Sequence, residues 1–175
     1  MFLDPKKIIR HAPVKASHRV GDFGTGAGHY AHILGERLGA EGSVYAFDAF
    51  TPHLDALRRA WSAQAQLYAI ESDLNTHIPI RNNLLHTAVV ANVLHQIEKK
   101  GRFISELERV MEPGGSVLVV DWVSSFKNMG PPKEVVLAPS ETVRMFRSFG
   151  FSVGDMLPAG THHFAFLAVA PKETI

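Results

Sequence analysis

The sequence predicts an α/β protein, a three-layer sandwich with a mostly parallel sheet between two layers of helices. Short runs rich in β-branched and aromatic residues alternate with segments whose apolar residues recur at helical spacing. Such alternation is typical of a parallel sheet with helices on both faces. The last two predicted strands are joined by only residues 158–160, which is too short for a crossover helix. We therefore expect at least one edge strand to run antiparallel.

Seven segments have the composition of strands. In chain order they are residues 18–24, 43–50, 65–73, 86–94, 116–123, 151–157 and 161–170. The fourth of them is a nearly continuous apolar run, as expected of a strand that is buried on both faces of a sheet.

Helices are predicted before the first strand and between most of the others. The first covers residues 4–12, with Asp4 as N-cap and Pro5 at the first helical position. The other four helices are predicted from apolar residues at helical spacing and from capping or stop residues at their ends. The apolar faces are Ala31, Leu34 and Leu38 in the helix 27–38; Leu54, Leu57 and Trp61 in the helix that starts at Thr51; Phe103, Leu107, Val110 and Met111 in the helix that "EPGG" ends; and Val143 and Phe146 in the helix that Ser140 caps and Gly150 closes.

Length and composition exclude several classes of protein. The 175 residues suggest a single domain over 1–175, with a small helical cap at about 1–17. The net charge of +1 is far from the basic character of a dedicated nucleic-acid binder. The absence of cysteine excludes disulfides, thiolate metal sites and cysteine nucleophiles. No apolar stretch suits a secretory signal or a membrane span, so we expect a cytoplasmic protein.

The segment "VGDFGTGAGHYAHIL" at 20–34 places Gly24, Gly26 and Gly28 where a predicted strand passes into a predicted helix. A dinucleotide site, a site for another nucleoside cofactor, or a tight turn would each explain it. The dinucleotide pattern G-x-G-x-x-G requires a third glycine where this chain has His29, and no Gly-Lys-Ser/Thr of a P-loop follows. In open α/β sheets, ligands bind at the carboxyl ends of the strands, where this turn lies.

Five segments in order resemble the motifs of class I S-adenosylmethionine-dependent methyltransferases, and the resemblance covers nearly the whole chain. The most similar subgroup is the ubiquinone and menaquinone biosynthesis methyltransferases. The segments are "VGDFGTGAG", "VYAFDAF", "ESDLNTHIP", "VVANVLHQI" and "LERVMEPGGSVLVVDW". The resemblance implies a Rossmann-like sheet of order 3-2-1-4-5-7-6 with an antiparallel last strand. It also implies S-adenosylmethionine as cofactor, S-adenosylhomocysteine as product and methyl transfer as the reaction.

The resemblance also implies a cofactor site. Asp48 would bind the ribose diol, Asp73 the adenine amino group, and the Leu74 N–H the adenine ring. The methionine end would lie along Gly24–Gly28 with Asp22 near its ammonium group, and Asn92 would close the site through its carbonyl. The full predicted set is Asp22, Phe23, Gly24, Thr25, Gly26, Gly28, Asp48, Ala49, Asp73, Leu74, Asn92 and Val93.

The acceptor side of the site carries weaker signals. His95 is the one candidate for a catalytic base or acceptor contact, and its alternative role is structural hydrogen bonding. His162 and His163 open the last strand, so at most one of them points toward the site. His29 and His32 are interpreted as surface or cofactor-flanking residues, and no metal site is predicted. The lack of cysteine argues against an arsenite-methylating activity.

The acceptor itself is not identified by the sequence. A small molecule attacked through oxygen, nitrogen or carbon is the main expectation, with no nucleic-acid or membrane partner. The short Pro/Gly segment 124–139, with "MGPP" at 129–132 shaping the rim, leaves three options: a mobile loop, a macromolecular acceptor, or a homodimer that completes the pocket. Two rival functions are a non-catalytic cofactor-binding module and an NAD(P)-dependent oxidoreductase. For the oxidoreductase, no hydride-site motif is found.

Overall fold

The computed structural model describes residues 3–127 and 129–172, and these form one seven-stranded sheet covered by helices on both faces. The strands are β1 (Arg19–Phe23), β2 (Ser43–Asp48), β3 (Gln66–Glu71), β4 (Leu85–Ala91), β5 (Met111–Trp122), β6 (Ser152–Leu157) and β7 (His163–Val169). The helices are α1 (Pro5–Ile8), α2 (His29–Arg37), α3 (Thr51–Ala60), α4 (Lys100–Val110) and α5 (Pro139–Ser148). Short 3-10 turns cover Ile9–His11, Leu94–Gln96 and Lys133–Val135.

The strand order is β3-β2-β1-β4-β5-β7-β6, as the family resemblance predicted. Strands β1 to β5 pair in parallel, and β7 runs antiparallel between β5 and β6. The antiparallel strand is therefore β7, which lies one place inside the edge of the sheet. The edge strand β6 runs in the same direction as β5, so the expected antiparallel edge strand is not found at this edge. The sheet reverses its winding at β1, which lies between β2 and β4, and the open end of that crevice is where ligands bind in such folds.

Two apolar cores lie on opposite faces of the sheet. Phe103 and Leu107 of α4 and Phe146 of α5 pack on one face. Leu34 of α2 and Leu57 of α3, with α1, pack on the other. Alternating residues of the central strands supply both cores, which explains the continuous apolar run of β4.

The helix starts follow local capping chemistry. Asp4 accepts hydrogen bonds from the N–H groups of Lys6 and Lys7 at 3.0 and 3.3 Å, so the predicted N-cap of α1 is confirmed. The predicted cap Ser140 is wrong. The N-cap of α5 is Ala138, and Pro139 holds the first helical position, where its fixed φ suits a helix start.

Several boundaries differ from prediction at turns. Strand β5 begins at Met111, directly after α4, and absorbs "EPGG" as a register shift between its pairings with Leu85 and Thr87. Strand β4 ends at Ala91 because Asn92 adopts a left-handed φ of 55°. Residues 1 and 2 of the predicted N-terminal cap lie outside the described residues.

Candidate functional site

A cavity of about 700 Å³ opens at the carboxyl ends of β1, β2, β3 and β4. Eight of the residues predicted from the sequence line it: Gly24, Gly26, Asp48, Ala49, Asp73, Leu74, Asn92 and Val93. Its size lies within the range of small-molecule sites, and its position is the point where the winding of the sheet reverses.

The glycine turn presents bare main chain to this cavity. The N–H groups of Gly24 and Thr25 both donate to the Phe47 carbonyl, at 2.8 and 2.9 Å, which fixes the turn to the end of β2. A Cβ at Gly24 would lie 2.5 Å from Val93 Cγ2, so close packing requires glycine there. Gly26 has a φ of 51° and open space where a side chain would stand, so its backbone faces the cavity.

Asp48 faces inward and joins the glycine turn to the start of α3. Its Oδ2 accepts a hydrogen bond from the Gly26 N–H at 2.7 Å, and its Oδ1 accepts one from the Phe50 N–H at 2.9 Å. The Nδ1 of His53 lies 3.4 Å from Oδ1. A carboxylate held by these donors keeps lone pairs for further hydroxyl groups.

Asp73 lies at the tip of β3 in a loop that Asn75 organises. Its Oδ1 accepts hydrogen bonds from the backbone and side-chain nitrogens of Asn75 at 2.9 and 3.0 Å. These bonds hold the pKa of the Asp73 carboxyl below its ordinary value. The Oδ1 of Asn75 in turn accepts from the N–H groups of Glu98 and Lys99, which ties the loop to the segment before α4.

Two buried polar atoms on the wall of this cavity have no hydrogen-bond partner among the described residues. They are Ser72 Oγ and Asn92 Oδ1. An unpaired buried oxygen is costly in a folded protein, so a polar ligand in the cavity would satisfy groups that the protein leaves open. The backbone carbonyl of Asn92 is a different acceptor from Oδ1, and it accepts one hydrogen bond from Gln96 Nε2 at 3.0 Å.

Asp22 lies beneath the turn and is almost fully buried. Its Oδ2 accepts a hydrogen bond from Thr25 Oγ1 at 2.7 Å. Burial raises the pKa of Asp22 from 3.8 to about 6, against the opposing hydrogen bonds from Thr25 and Ala31. Among the other predicted residues, Phe23 stacks on Phe47 in the core, so only its backbone is available to a ligand. Gly28 is the N-cap of α2.

A second cavity of about 370 Å³ adjoins the first. The two share Gly24, Ala91 and Asn92, which stand at the tips of β1 and β4. The other residues that line the second cavity are Leu3, Pro5, Thr25, His29, Tyr30, Trp122 and His163. Thr25 thus lies on this side of the turn, and His163 is the member of the His162–His163 pair that reaches a cavity.

His95 is held by a buried carboxylate at the end of β5. Its Nδ1 lies 2.7 Å from Asp121 Oδ1, and its backbone N–H donates to Asp121 Oδ2 at 3.0 Å. Asp121 also accepts a bond from the Trp122 N–H at 2.7 Å. His95 lines neither of the two cavities but a separate groove with Pro131. The observed contacts of His95 are those of a structural hydrogen-bonding residue.

Comparison with known proteins identifies the family. A family model described as "Methyltransferase domain" matches residues 21–119, more than half of the chain. The chain belongs to this methyltransferase family. The glycine turn, the tips of β2, β3 and β4, and most of β5 all fall inside the matched segment.

Relatives agree with that assignment. A ubiquinone/menaquinone biosynthesis C-methyltransferase, UbiE, from Cupriavidus pinatubonensis is 27% identical over 119 residues, which are 68% of this chain and 49% of the relative. An arsenite methyltransferase from Halobacterium salinarum is 27% identical over 174 residues, 97% of this chain and 42% of the relative. The chain thus spans about half the length of these curated relatives.

A solved structure resembles nearly the whole chain. The crystal structure of a SAM-dependent methyltransferase from Aquifex aeolicus aligns with a TM-score of 0.85 and 27% identity, covering 96% of this chain and 90% of that one. The family predicted from the motifs, its fold and S-adenosylmethionine as its cofactor are therefore confirmed. Family membership decides against the oxidoreductase alternative.

The lining of the larger cavity includes residues that the sequence analysis missed. They are Phe50, His53, Ser72, Asn75, Ala91, Gln96 and Ile97. All seven lie within five residues of a predicted one, so proximity to a strand tip was the available signal. Phe50 is 56% exposed although it is a large apolar residue, which suits a side chain that borders a ligand.

Two further findings concern other kinds of site. Within residues 3–127 and 129–172, no cluster of three or more histidine, aspartate or glutamate side chains could hold a metal ion. In the same part of the chain, no helix is both long and apolar enough to cross a bilayer.

Proposed function

We propose that this chain transfers a methyl group from S-adenosylmethionine, bound in the larger cavity, to a small-molecule acceptor bound in the adjoining one. The observation that carries the proposal is that the two cavities meet at Gly24, Ala91 and Asn92. A methyl donor and its acceptor must approach in line across such a boundary.

The cofactor site is proposed residue by residue. Asp48 would accept hydrogen bonds from the ribose hydroxyls and Asp73 one from the adenine amino group. The Leu74 N–H would donate to the adenine ring. The methionine part would run along the bare turn at Gly24–Gly28. The inward orientation of Asp48 and the open space before Gly26 support this arrangement.

Charge complementarity also supports a cationic cofactor. Asp22, Asp48 and Asp73 surround or underlie the larger cavity, and no lysine or arginine lines it among the described residues. Asp22 is buried beneath the turn, so we propose that it attracts the ammonium group through its field. Asn92 would face the donor through Oδ1, its unpaired atom.

Methyl transfer requires little covalent chemistry from the protein. Bound S-adenosylmethionine supplies a methyl carbon that its sulfonium already activates. The contribution of the chain is to align donor and acceptor and to exclude water. A general base is needed only where the acceptor must lose a proton.

The acceptor is proposed to be a small molecule because the second cavity is small. Attack through oxygen, nitrogen or carbon fits the proposal equally at this level. Arsenite is not proposed, although one relative is named an arsenite methyltransferase, because this chain has no cysteine to bind arsenic. A cytoplasmic location and a homodimer, both expected from the sequence, stay predictions.

Calorimetric titration of the protein with S-adenosylmethionine, S-adenosylhomocysteine and NAD tests the cofactor assignment. We expect both sulfur nucleosides to bind at one site and NAD to give no saturable heat. A screen with methyl-labelled cofactor over metabolites, peptides and RNA tests the acceptor class. Binding of NAD alone would contradict the first assignment, and labelling of peptides or RNA in place of metabolites would contradict the second.

A further inference from the structure

The second cavity contains an unusual concentration of unsatisfied polar groups. The Tyr30 hydroxyl and both ring nitrogens of His163 are buried and have no hydrogen-bond partner among the described residues. Both residues line this cavity, and so does Asn92, whose Oδ1 is also unpaired. Buried unpaired groups each cost about 1–3 kcal/mol, so their convergence on one cavity indicates a ligand that completes them.

Apart from two histidines, His29 and His163, the cavity wall carries no side chain that is ionised at neutral pH. Its described lining contains no lysine, arginine, aspartate or glutamate. Desolvation lowers the pKa of His163, although the Asp121 charge opposes the shift, so His163 is neutral near pH 7. Burial and the Asp22 charge raise the pKa of the Tyr30 hydroxyl, which therefore stays protonated. A charged acceptor would lose its hydration here without gaining a counter-ion.

The remaining lining is mostly apolar, apart from Thr25, whose hydroxyl donates to Asp22, and the exposed His29. The Trp122 and His163 rings lie 4.0 Å apart between centroids, and Leu3 and Pro5 add aliphatic surface. The cavity of about 370 Å³ lies at the small end of ligand sites. Its size and lining suit a molecule of one or two rings with a polar group at one end.

We propose that the second cavity binds an uncharged aromatic acceptor through its hydroxyl group, with Tyr30 and His163 as the hydrogen-bonding residues. This inference rests on the proposed function. The phenol of Tyr30 both donates and accepts, and a neutral imidazole offers one donor and one acceptor. Together they recognise a hydroxyl group and leave the ring of the acceptor against Trp122.

The same arrangement gives the hydroxyl proton a destination. The acceptor oxygen forms a bond to the methyl carbon while the carbon–sulfur bond breaks, and the bonding pair stays on sulfur as the sulfonium becomes a neutral thioether. The hydroxyl proton passes to a ring nitrogen of His163 and later to water. The buried Asp121 stabilises the resulting imidazolium charge, and the neighbouring His162 opposes it when that ring is protonated.

The test uses Trp122 as a reporter. The chain has two tryptophans, so Trp61→Phe leaves Trp122, at the cavity, as the single fluorophore. This protein, saturated with S-adenosylhomocysteine, is titrated with phenol, benzoate and benzylamine, which share one ring and differ in charge. We expect saturable quenching by phenol, and binding of the two charged probes weaker by about tenfold or more.

Variants in the same background decide which residues bind the probe. Tyr30→Phe and His163→Gln should each weaken phenol binding by about tenfold. Tyr68→Phe is the matched control, because it removes a hydroxyl from β3, where Tyr68 stacks on Tyr45. It should leave phenol binding unchanged. His163→Gln keeps hydrogen-bonding atoms but cannot hold the proton, so methyl transfer to phenol should fall further than phenol binding.

The outcomes separate this inference from the proposed function. Tighter binding of benzoate or benzylamine than of phenol would overturn it, and so would the absence of phenol binding. Phenol binding that is indifferent to both substitutions would also overturn it, while retained S-adenosylhomocysteine binding would leave the proposed function intact. Failure of the unsubstituted protein to bind S-adenosylhomocysteine would instead contradict the proposed function.

Discussion

The Asp48 carboxylate has two backbone neighbours and, in the proposed complex, two ribose hydroxyls as well. Because it already accepts bonds from Gly26 and Phe50, it is held in place before the cofactor arrives. Asp48→Ala removes the acceptor and loosens the turn. We expect the affinity for S-adenosylmethionine, measured by calorimetry, to fall by at least about tenfold, or ~1.4 kcal/mol.

Asp55→Ala is the matched control for charge. Asp55 lies on α3 near Asp48 in sequence, but its carboxylate pairs with Arg58 at 2.8 Å on an exposed surface. It should leave cofactor affinity unchanged. If Asp48→Ala folds normally and binds as tightly as the unsubstituted protein, the ribose is bound by other groups.

Asp22 illustrates a residue whose proposed role costs stability. Its pKa of about 6 in the folded chain exceeds the ordinary value of 3.8, so the folded state holds the proton more tightly than the unfolded state does. Stability from this group is full below pH 4 and is lost as the pH rises through 6, a difference of roughly 3 kcal/mol.

Asp22→Asn removes this titration and keeps an oxygen for the Thr25 hydroxyl. At pH 8 we expect the variant to unfold at a higher urea concentration than the unsubstituted protein. Its free energy of unfolding should be greater by up to about 3 kcal/mol there, with no difference below pH 4. Urea titrations across that range measure it. A variant less stable at pH 8, or a difference independent of pH, would contradict the assignment.

At the scale of elements, the loop between β3 and β4 is held by hydrogen bonds to Arg109 and Glu106, which form an ion pair within α4. Arg109 donates to Glu106 at 2.8 Å and also to the carbonyls of Ile78 and Ile80 at 2.8 and 2.9 Å. Hydrogen bonds from Arg109 lower the pKa of Glu106 to about 2. The first residues of this loop, Ser72 and Asp73, line the larger cavity, so α4 supports one wall of it.

Arg109→Ala should therefore destabilise the fold more than removal of a surface arginine. It leaves the Ile78 and Ile80 carbonyls without their Arg109 donor and the Glu106 carboxylate without its counter-ion, with the Ile78 N–H still bound to it. We expect a loss of roughly 2–4 kcal/mol in unfolding free energy. Arg144→Ala is the control, since Arg144 lies 3.8 Å from Glu141 on an exposed part of α5. It should cost less than about 1 kcal/mol. Equal effects of the two substitutions in urea unfolding would show that the loop is held by other contacts.

The elements also show what local sequence could reveal. The glycine turn was predictable because strand, turn and helix are continuous in the chain and because glycine reports positive φ directly. The start of α5 was mispredicted because serine is a good cap only where the backbone is not yet helical, and Pro139 had already begun the helix. Asn75 escaped notice because its partners at Glu98 and Lys99 are more than twenty residues away.

At the scale of the whole molecule, the larger cavity was predictable and the second was not. The topology alone places the tips of β1, β2, β3 and β4 together, so motifs at strand ends identify one site. The second cavity is assembled from Leu3, Tyr30, Trp122 and His163, which come from four separated segments. Their proximity depends on how α1 and the β5–β7 pair close over the turn, which no local pattern encodes.

The larger cavity lies across the centre of the sheet, so its ligand should stabilise the whole fold. S-adenosylhomocysteine contacts, in the proposed complex, residues from β1, β2, β3 and β4 that separate only when the sheet unfolds. At roughly 100 times its dissociation constant it should add about 2.7 kcal/mol to the unfolding free energy, because it binds the folded state alone. For a chain of this size the unfolding midpoint should rise by about 5–11 °C, measured by calorimetric or fluorescence melting. The shift should shrink in Asp48→Ala at the same ligand concentration and persist in Asp55→Ala. A shift of equal size in Asp48→Ala would mean that the ligand binds away from the glycine turn, and a comparable shift with NAD would contradict the cofactor assignment.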